Sequence, residues 1–315
     1  MSDMRSVPYF SEEDLAKLDI TIAEVVDLIE KLIRDCEASR VWSAPKASIS
    51  VPDGRYIMST LAVADDPPFL ACKSLLLNPR NPESGEPLMN SIVVLQDGKS
   101  GRPVAILDGN WITAVRTAAL SVLAAKRLAK PTARVIAFIG SGVQARSHLS
   151  AMADSFPLTE VRIFGRGRAN IDRLCEHAAT LGLVSSVADT PEDALRGADL
   201  IVSSVTRSHD QQPFVDASAV EPGACACLTD LAKPWLPKSL SGFDCIVIDD
   251  KSQEAAMKDQ MVQPELVSGD LTDLVLDRVN SNAAAGARCA FIFRGFALGD
   301  FALAAHAYQV AVATS

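Results

Sequence analysis

Ile22, Val25, Val26, Ile29, Leu32, Ile33 and Cys36 recur at three- and four-residue intervals, which puts them on one stripe of a helix. Directly before them, Thr21-Ile22-Ala23-Glu24 reads as a capping box, with the Thr hydroxyl on the third amide and Glu reaching back. The spacing predicts an amphipathic helix to about Ser39. The pattern then changes. Short apolar runs (Ala47–Val51, Tyr56–Ser59, Phe69–Leu77, Ser91–Leu95 and Val104–Leu107) alternate with Pro, Gly, Asn and Asp clusters such as Pro52-Asp53-Gly54 and Asp97-Gly98-Lys99-Ser100-Gly101. That is the mark of an antiparallel sheet joined by turns.

Helical spacing returns at Trp111 and stops at Lys130, just before Pro131. From there strands and helices alternate. Strands are predicted at Arg134–Ile139, Val161–Phe164, Val184–Val187, Asp199–Ser203, Ala224–Leu228 and Cys245–Ile248. Helices are predicted at Gly142–Ser155 and Ala169–Leu181, and Thr190-Pro191-Glu192-Asp193 signals another helix start. Such alternation implies right-handed crossovers and a parallel sheet. The final stretch, Asp300 to about Ala313, is an Ala-rich helix. The predicted fold class is α/β: a Rossmann-type doubly wound parallel sheet with a second, β-rich substrate and dimerisation domain. The expected division is 1–115 plus 299–315 for the β-rich domain and 116–298 for the Rossmann dinucleotide-binding domain.

Composition narrows the function classes. The 315 residues suit about two domains at ~150 residues each. With 48% hydrophobic and 22% charged residues, a well-packed globular protein is expected. Asp and Glu (39) outnumber Lys and Arg (30), and the net charge of −9 disfavours nucleic acid and anionic membrane as partners. No apolar run approaches the ~18 residues of a membrane-spanning helix. The N-terminal residues lack the apolar core of a signal peptide, so a cytoplasmic location is expected. Seven scattered cysteines without a CxxC pair read as reduced thiols, with Cys225 and Cys227 in a buried strand. His148, His177, His209 and His306 show no metal-ligand spacing, so no metal is expected. There is also no GxSxG elbow.

The first crossover carries chemistry. The strand ending Phe138-Ile139 runs into Gly140-Ser141-Gly142-Val143-Gln144-Ala145, a G-x-G-x-x-A that opens a helix. Gly140 allows the tight turn, Gly142 lets backbone approach a pyrophosphate, and Ala145 lets helix and strand pack closely. The helix start offers free amides to phosphate. Where an NAD site usually places an acid after the second strand, this chain has Phe164-Gly165-Arg166-Gly167-Arg168. Arginines suit a 2′-phosphate, which favours NADP(H) over NAD(H).

The segment Gly101-Arg102-Pro103 through Asp108-Gly109-Asn110-Trp111-Ile112-Thr113-Ala114-Val115-Arg116-Thr117-Ala118-Ala119 resembles the ornithine cyclodeaminase/mu-crystallin family, with its G-x-P-x-A-x-x-D and T-x-x-R-T pattern. Lys73 followed by Asn81-Pro82-Glu83-Ser84-Gly85-Glu86-Pro87, the phosphate loop, Thr229-Asp230, Glu265–Leu271 and Gly295–Asp300 extend the resemblance over almost the whole chain. It implies a homodimer built through the β-rich domain and hydride exchange at the α-carbon of a small amino or imino acid. The implied substrate-binding residues are Lys46, Met58, Lys73 and Arg116, and the implied catalytic residues are Lys73 and Asp230. Cationic side chains in a water-poor site suit a carboxylate substrate. The expected cofactor contacts are Arg116, Thr117, Gly140, Ser141, Gly142, Val143, Gln144, Gly165, Arg166, Arg168 and Thr206, and Ser91 is a further substrate candidate. Alternatives stand beside these assignments: Arg116 could be a surface helix arginine, and Arg166 and Arg168 could simply face solvent at a helix start. Alternation along Phe69–Leu77 could turn Lys73 to solvent, and Asp230 could cap a helix.

The chain departs from the family pattern in three places. Lys46 stands where a Pro-x-Arg arginine is usual, Met58-Ser59 replaces Met-Pro, and Leu231-Ala232-Lys233-Pro234-Trp235 replaces a glycine-proline-glycine loop. Trp235 there either reshapes the pocket or packs. The expected activity is NADPH-dependent reduction of an α-imino acid of the ketimine or Δ1-pyrroline-2-carboxylate type. The alternatives are an NAD-dependent ornithine cyclodeaminase and a crystallin-like NADP-binding protein with little catalysis.

Overall fold

The computed structural model describes residues 6–38, 40–206, 212–281 and 286–314. Two compact units emerge, Thr117–Phe296 forming one and the rest of the chain the other. The unit holding the N-terminal half opens with β1 (Tyr9–Phe10), α1 (Glu12–Ala16) and α2 (Ile22–Glu37). The capping box at α2 is formed: the Glu24 amide donates to Thr21 Oγ1 at 3.3 Å, and the Thr21 amide donates to the Glu24 carboxylate at 2.8 Å. The helix ends at Glu37; Ser39, where it was expected to stop, lies outside the described residues. Val25, Val26, Ile29, Leu32 and Ile33 form its buried stripe.

Strands β2 (Val41–Ser50), β3 (Tyr56–Ala64), β4 (Phe69–Leu77), β5 (Met89–Asp97) and β6 (Pro103–Asp108) pair antiparallel in chain order, and β1 joins parallel to β6. Alternation decides which side chains turn inward. Thr60, Lys73, Val93 and Leu107 face one another across β3 to β6, and all four are buried. The opposite face carries Trp42, Ile49, Ile57, Leu61, Leu76 and Ile92, all exposed. Helix α3 (Gly109–Leu128) follows, with the Asp108 carboxylate accepting from the Trp111 amide at 2.8 Å. It starts two residues before the predicted Trp111, because Asp108 can cap the turn from outside.

The second unit contains β7 (Val135–Ile139), α4 (Val143–Ser155), β8 (Glu160–Phe164), α5 (Arg168–Thr180), β9 (Val184–Val187), α6 (Pro191–Leu195), β10 (Leu200–Ser203), β11 (Cys225–Leu228), β12 (Cys245–Ile248), α7 (Lys251–Ala255), β13 (Val267–Asp270), α8 (Leu271–Val275) and β14 (Cys289–Ile292). All eight strands are parallel, in the order β13-β12-β14-β11-β10-β7-β8-β9. This is a doubly wound Rossmann-type sheet. The strand order reverses at β7 and β10, and ligands of such sheets bind beyond the carboxyl ends of the strands at that switch point. Strand β14 inserts between β11 and β12. Neither β13 nor β14 is evident in the periodicity: Val267-Ser268-Gly269-Asp270 holds a single apolar side chain and a glycine, and Cys289-Ala290-Phe291-Ile292 is a short apolar run that period alone does not separate from a helix.

The last helix, α9 (Ala297–Ala313), belongs to the first unit and packs on α2 and on the inner face of β3 and β4. It begins at Ala297 rather than Asp300, and this places Asp300 inside the first turn, fully buried.

Candidate functional site

The inner face of the antiparallel sheet carries an unusual load of charge. Lys73 lies midway along β4, with Ala71 and Leu75 on the same buried face. The alternative that it faces solvent is therefore excluded; 1% of it is exposed. Its Nζ donates to Asp300 Oδ1 at 2.7 Å and reaches Thr113 Oγ1 at 3.4 Å. Arg116, on the second turn of α3, pairs through Nε with the same Asp300 oxygen at 2.9 Å. Thr60, opposite Lys73 on β3, donates to Asp300 Oδ2 at 3.0 Å. Arg116 Nε and Nη1 are both buried without a hydrogen-bond partner, so Nε meets Asp300 as an ion pair outside hydrogen-bond geometry. A buried guanidinium with a free donor is costly unless an anion completes it.

Burial pushes the Lys73 ammonium down to about 7; Arg116 repulsion adds to this, and Asp300 opposes it. Burial alone would raise the Asp300 carboxyl, but the Arg116 and Lys73 charges outweigh it and hold it below the usual carboxylate range. Lys46, also buried, lies at the irregularity between Ala44 and Ala47 of β2, and its charge contributes to lowering Lys73. Met58 shares the buried face of β3 and supplies an apolar wall. Ser91 is engaged elsewhere, donating to Asn110 Oδ1 at 3.1 Å.

The parallel sheet carries a second constellation. Gly140 ends β7 with φ +99°, and a Cβ there would lie 2.8 Å from the Ser204 carbonyl oxygen. Only glycine fits this turn. At Gly142 a Cβ would meet nothing within 4 Å, so the space beside the backbone is open. Gly142 is the N-cap of α4 and no side chain caps the helix, so its first amides remain available. Ser141 is buried, Val143 is exposed, and Gln144 Oε1 is buried without a partner, as is Ser204 Oγ after β10. A Cβ on Gly165 would sit 2.9 Å from Ser141 Oγ, so the ends of β7 and β8 pack closely. These features fit a dinucleotide pyrophosphate. Of the two arginines, Arg168 is tied to Asp172 at 2.9 Å, whereas Arg166 is exposed and makes no ion pair among the described residues. Thr206 is exposed, three residues after β10, and Thr117 is buried on α3.

Asp230 follows β11 and is buried. Its Oδ2 accepts from Ser203 Oγ at 2.6 Å and from the Val205 amide at 3.0 Å. Trp235 Nε1 donates to that Ser203 hydroxyl at 3.1 Å. Trp235 therefore packs inside the unit rather than shaping a pocket surface. Leu231 and Ala232 both have positive φ, 62° and 54°, a strained turn that the network beside it holds in place. Burial pushes the Asp230 carboxyl up to about 6, against hydrogen bonds that favour the ionised form.

A sequence model of the ornithine cyclodeaminase/mu-crystallin family matches residues 11–314. The chain belongs to this family. Mouse ketimine reductase mu-crystallin is 31% identical over 206 residues, which cover 64% of this chain and 63% of the mouse protein. A Δ1-pyrroline-2-carboxylate reductase of Bacillus cereus is 27% identical over 187 residues, 59% of this chain and 58% of the relative. The matched stretches thus span somewhat under two thirds of these curated relatives. The fold of Thermococcus litoralis Δ1-pyrroline-2-carboxylate reductase, solved with NADH and L-proline, superimposes with a TM-score of 0.88 at 23% identity, covering 98% of each chain.

Within this family member, Lys73, Arg116, Lys46 and Met58 gather on the first unit, and Gly140–Gln144, Gly165 and Arg166 gather on the second. Asp300 enters the sequence reading only as a match to the family pattern, and its contacts with Lys73 and Arg116 escape it, as do Thr60 and Ser203; of the two roles open to Trp235, packing is the one observed. The available signal for Asp300 is an acid in the first turn of an otherwise apolar, Ala-rich helix. His148 is an internal brace, bonded to Ser121 Oγ and the Gln144 carbonyl at 2.9 and 2.7 Å. His209 lies outside the described residues. No group of three or more His, Cys, Asp or Glu could hold a metal among the described residues, and no helix there is long and apolar enough to cross a membrane.

The two loop glycines separate fold from binding. Gly142→Ala is expected to melt within about 2 °C of the wild type but to bind nicotinamide dinucleotides at least tenfold more weakly. Gly140→Ala is expected to lose roughly 2 kcal/mol or more of stability from its positive φ and the carbonyl clash. Thermal melts and nucleotide titration check both.

Proposed function

We propose that this protein is an NADPH-dependent reductase of a small α-imino acid, of the ketimine or Δ1-pyrroline-2-carboxylate type. The observation that carries this reading is the buried Lys73–Arg116 pair with an unsatisfied guanidinium donor, a site built for one carboxylate. The ketimine and pyrroline-2-carboxylate reductases among its relatives support it. Arg116 and Lys73 hold the carboxylate, Lys46 adds charge, and Met58 lines the apolar side. Asp230, ionised above about 6, stabilises the iminium form of the substrate. A bound nicotinamide cofactor would supply hydride for the C=N carbon, and the iminium form already carries the proton that the product amine needs. Gly140–Gln144 hold the pyrophosphate. Arg166, free of other ion pairs, holds a 2′-phosphate, with Arg168 as a weaker contributor because Asp172 already engages it.

The dimer implied by the family also finds a candidate surface in this reading. Trp42, Ile49, Ile57, Leu61, Leu76 and Ile92 make one outward apolar sheet face that stays exposed among the described residues. A second copy of the chain is the proposed cover, since such a face on a monomer invites association. Leu61→Lys together with Ile57→Lys is expected to yield monomers in sedimentation, and an unaltered assembly would reject this face.

The first test is NADPH oxidation with Δ1-pyrroline-2-carboxylate, with NADH in parallel. Turnover preferring NADPH is expected. Arg166→Asp should weaken NADPH at least tenfold, about 1.4 kcal/mol or more, and leave NADH almost unchanged; equal losses would remove the 2′-phosphate assignment. Ammonia release from ornithine without net NADPH oxidation would instead make the protein a cyclodeaminase.

The pH profile of kcat/KM is expected to be bell-shaped. It falls below about 6, where Asp230 takes up a proton, and above about 7, where Lys73 loses one and can no longer anchor the carboxylate. Asp230→Asn should lower turnover and remove the acid limb with NADPH binding intact. A profile that keeps its acid limb in this variant would exclude Asp230.

A further inference from the structure

Lys73 and Arg116 are like charges held within reach of one oxygen atom, with almost no water around them. Repulsion and burial both favour discharging the weaker cation, which is Lys73. The groups that face it are Asp300 on α9, Arg116 and Thr113 on α3, Thr60 on β3 and Lys46 on β2. Asp300 is the one anion among them. Its Oδ1 takes both cations, and its Oδ2 is fixed by the Thr60 hydroxyl. The carboxylate therefore cannot turn to serve one cation at the expense of the other. What remains is the guanidinium edge at Arg116 Nη1 and the donor capacity of Lys73 beyond Asp300 and Thr113.

We propose that Asp300 is the positioning residue of the carboxylate site: it clamps Lys73 and Arg116 so that their remaining donors converge on one incoming carboxylate, and its fixed charge keeps Lys73 an ammonium. It touches neither substrate nor cofactor. Its removal would leave two adjacent buried cations, of which Lys73 sheds its proton at a lower pH. The identity of the carboxylate rests on the imine-reductase reading; the clamp rests on the geometry.

The test uses Asp300→Asn and Thr60→Val in the full chain saturated with NADPH. The probe is pyrrole-2-carboxylate, a planar cyclic carboxylate with no C=N bond to reduce, titrated calorimetrically across pH. For Asp300→Asn the expected result is at least tenfold weaker probe binding at neutral pH, with NADPH affinity within about twofold of the wild type. The alkaline loss of probe binding should also move down by about one pH unit or more. Thr60→Val keeps the charge and frees the carboxylate, so probe binding should weaken about threefold with the pH limb in place.

Unchanged probe affinity and an unchanged limb in Asp300→Asn would overturn the proposal. So would a variant that loses NADPH and its folded melt together with the probe, which would assign Asp300 to the fold, unless Thr60→Val shows the expected selective loss. Unaltered binding in Thr60→Val would remove the clamp by itself. The outcome is separable from that of the function. Wild-type protein that binds the probe with the expected pH limb but reduces no imine leaves the clamp standing and rejects the reductase. Turnover by the wild type with an indifferent Asp300→Asn does the reverse.

Discussion

Two cations and one carboxylate are buried together on the inner face of the six-stranded sheet, held by Asp300 Oδ1 at 2.7 Å from Lys73 and 2.9 Å from Arg116. Each charge alone would carry a desolvation cost of several kcal/mol in such surroundings. Together they offset one another incompletely, because two positive charges face one negative. That excess is what the proposed carboxylate substrate would complete. Three elements distant in the chain, β4, α3 and α9, are thereby tied to one point, with β3 contributing Thr60. The return of α9 to the first unit brings the neutralising charge that lets Lys73 and Arg116 remain inside.

The parallel sheet solves a different electrostatic problem with backbone instead of side-chain charge. Strand order reverses at β7 and β10, which leaves the turn after β7 open and the first amides of α4 without partners. Gly140 is required because the Ser204 carbonyl occupies the space that a side chain would need. Beside it, Trp235, Ser203 and Asp230 form a buried chain of hydrogen bonds across the ends of β10 and β11. That chain braces the left-handed turn at Leu231 and Ala232. Asp230 is thus both a support and an ionisable group, and burial sets its protonation close to neutral pH.

Much of this was legible in the residues. The capping box at Thr21, the phosphate turn at Gly140–Ala145 and the alternation of the antiparallel strands are local rules, satisfied within a few residues by hydrogen bonds and side-chain periodicity. They gave the α2 start, the β7–α4 turn and the strands from β2 to β6, although β2 begins six residues before the expected Ala47 and β3 runs five residues past the expected Ser59. Strands β13 and β14 were not legible. β13 is mostly polar and carries a glycine, and β14 is a short apolar run inserted out of order between β11 and β12.

The sequence by itself determined the kinds of chemistry present: a glycine turn opening a helix, arginines in place of an acid after the second strand of the crossover, and a lysine inside an apolar strand. The tertiary structure alone decided the state of those groups. It placed Lys73 inward, since side-chain alternation makes two faces and only packing by α2 and α9 chooses the buried one. It also brought Asp300 onto Lys73 across 227 residues of chain. Charge–charge interaction depends on distance in space and on exclusion of water, and neither quantity is written in the order of residues along a chain.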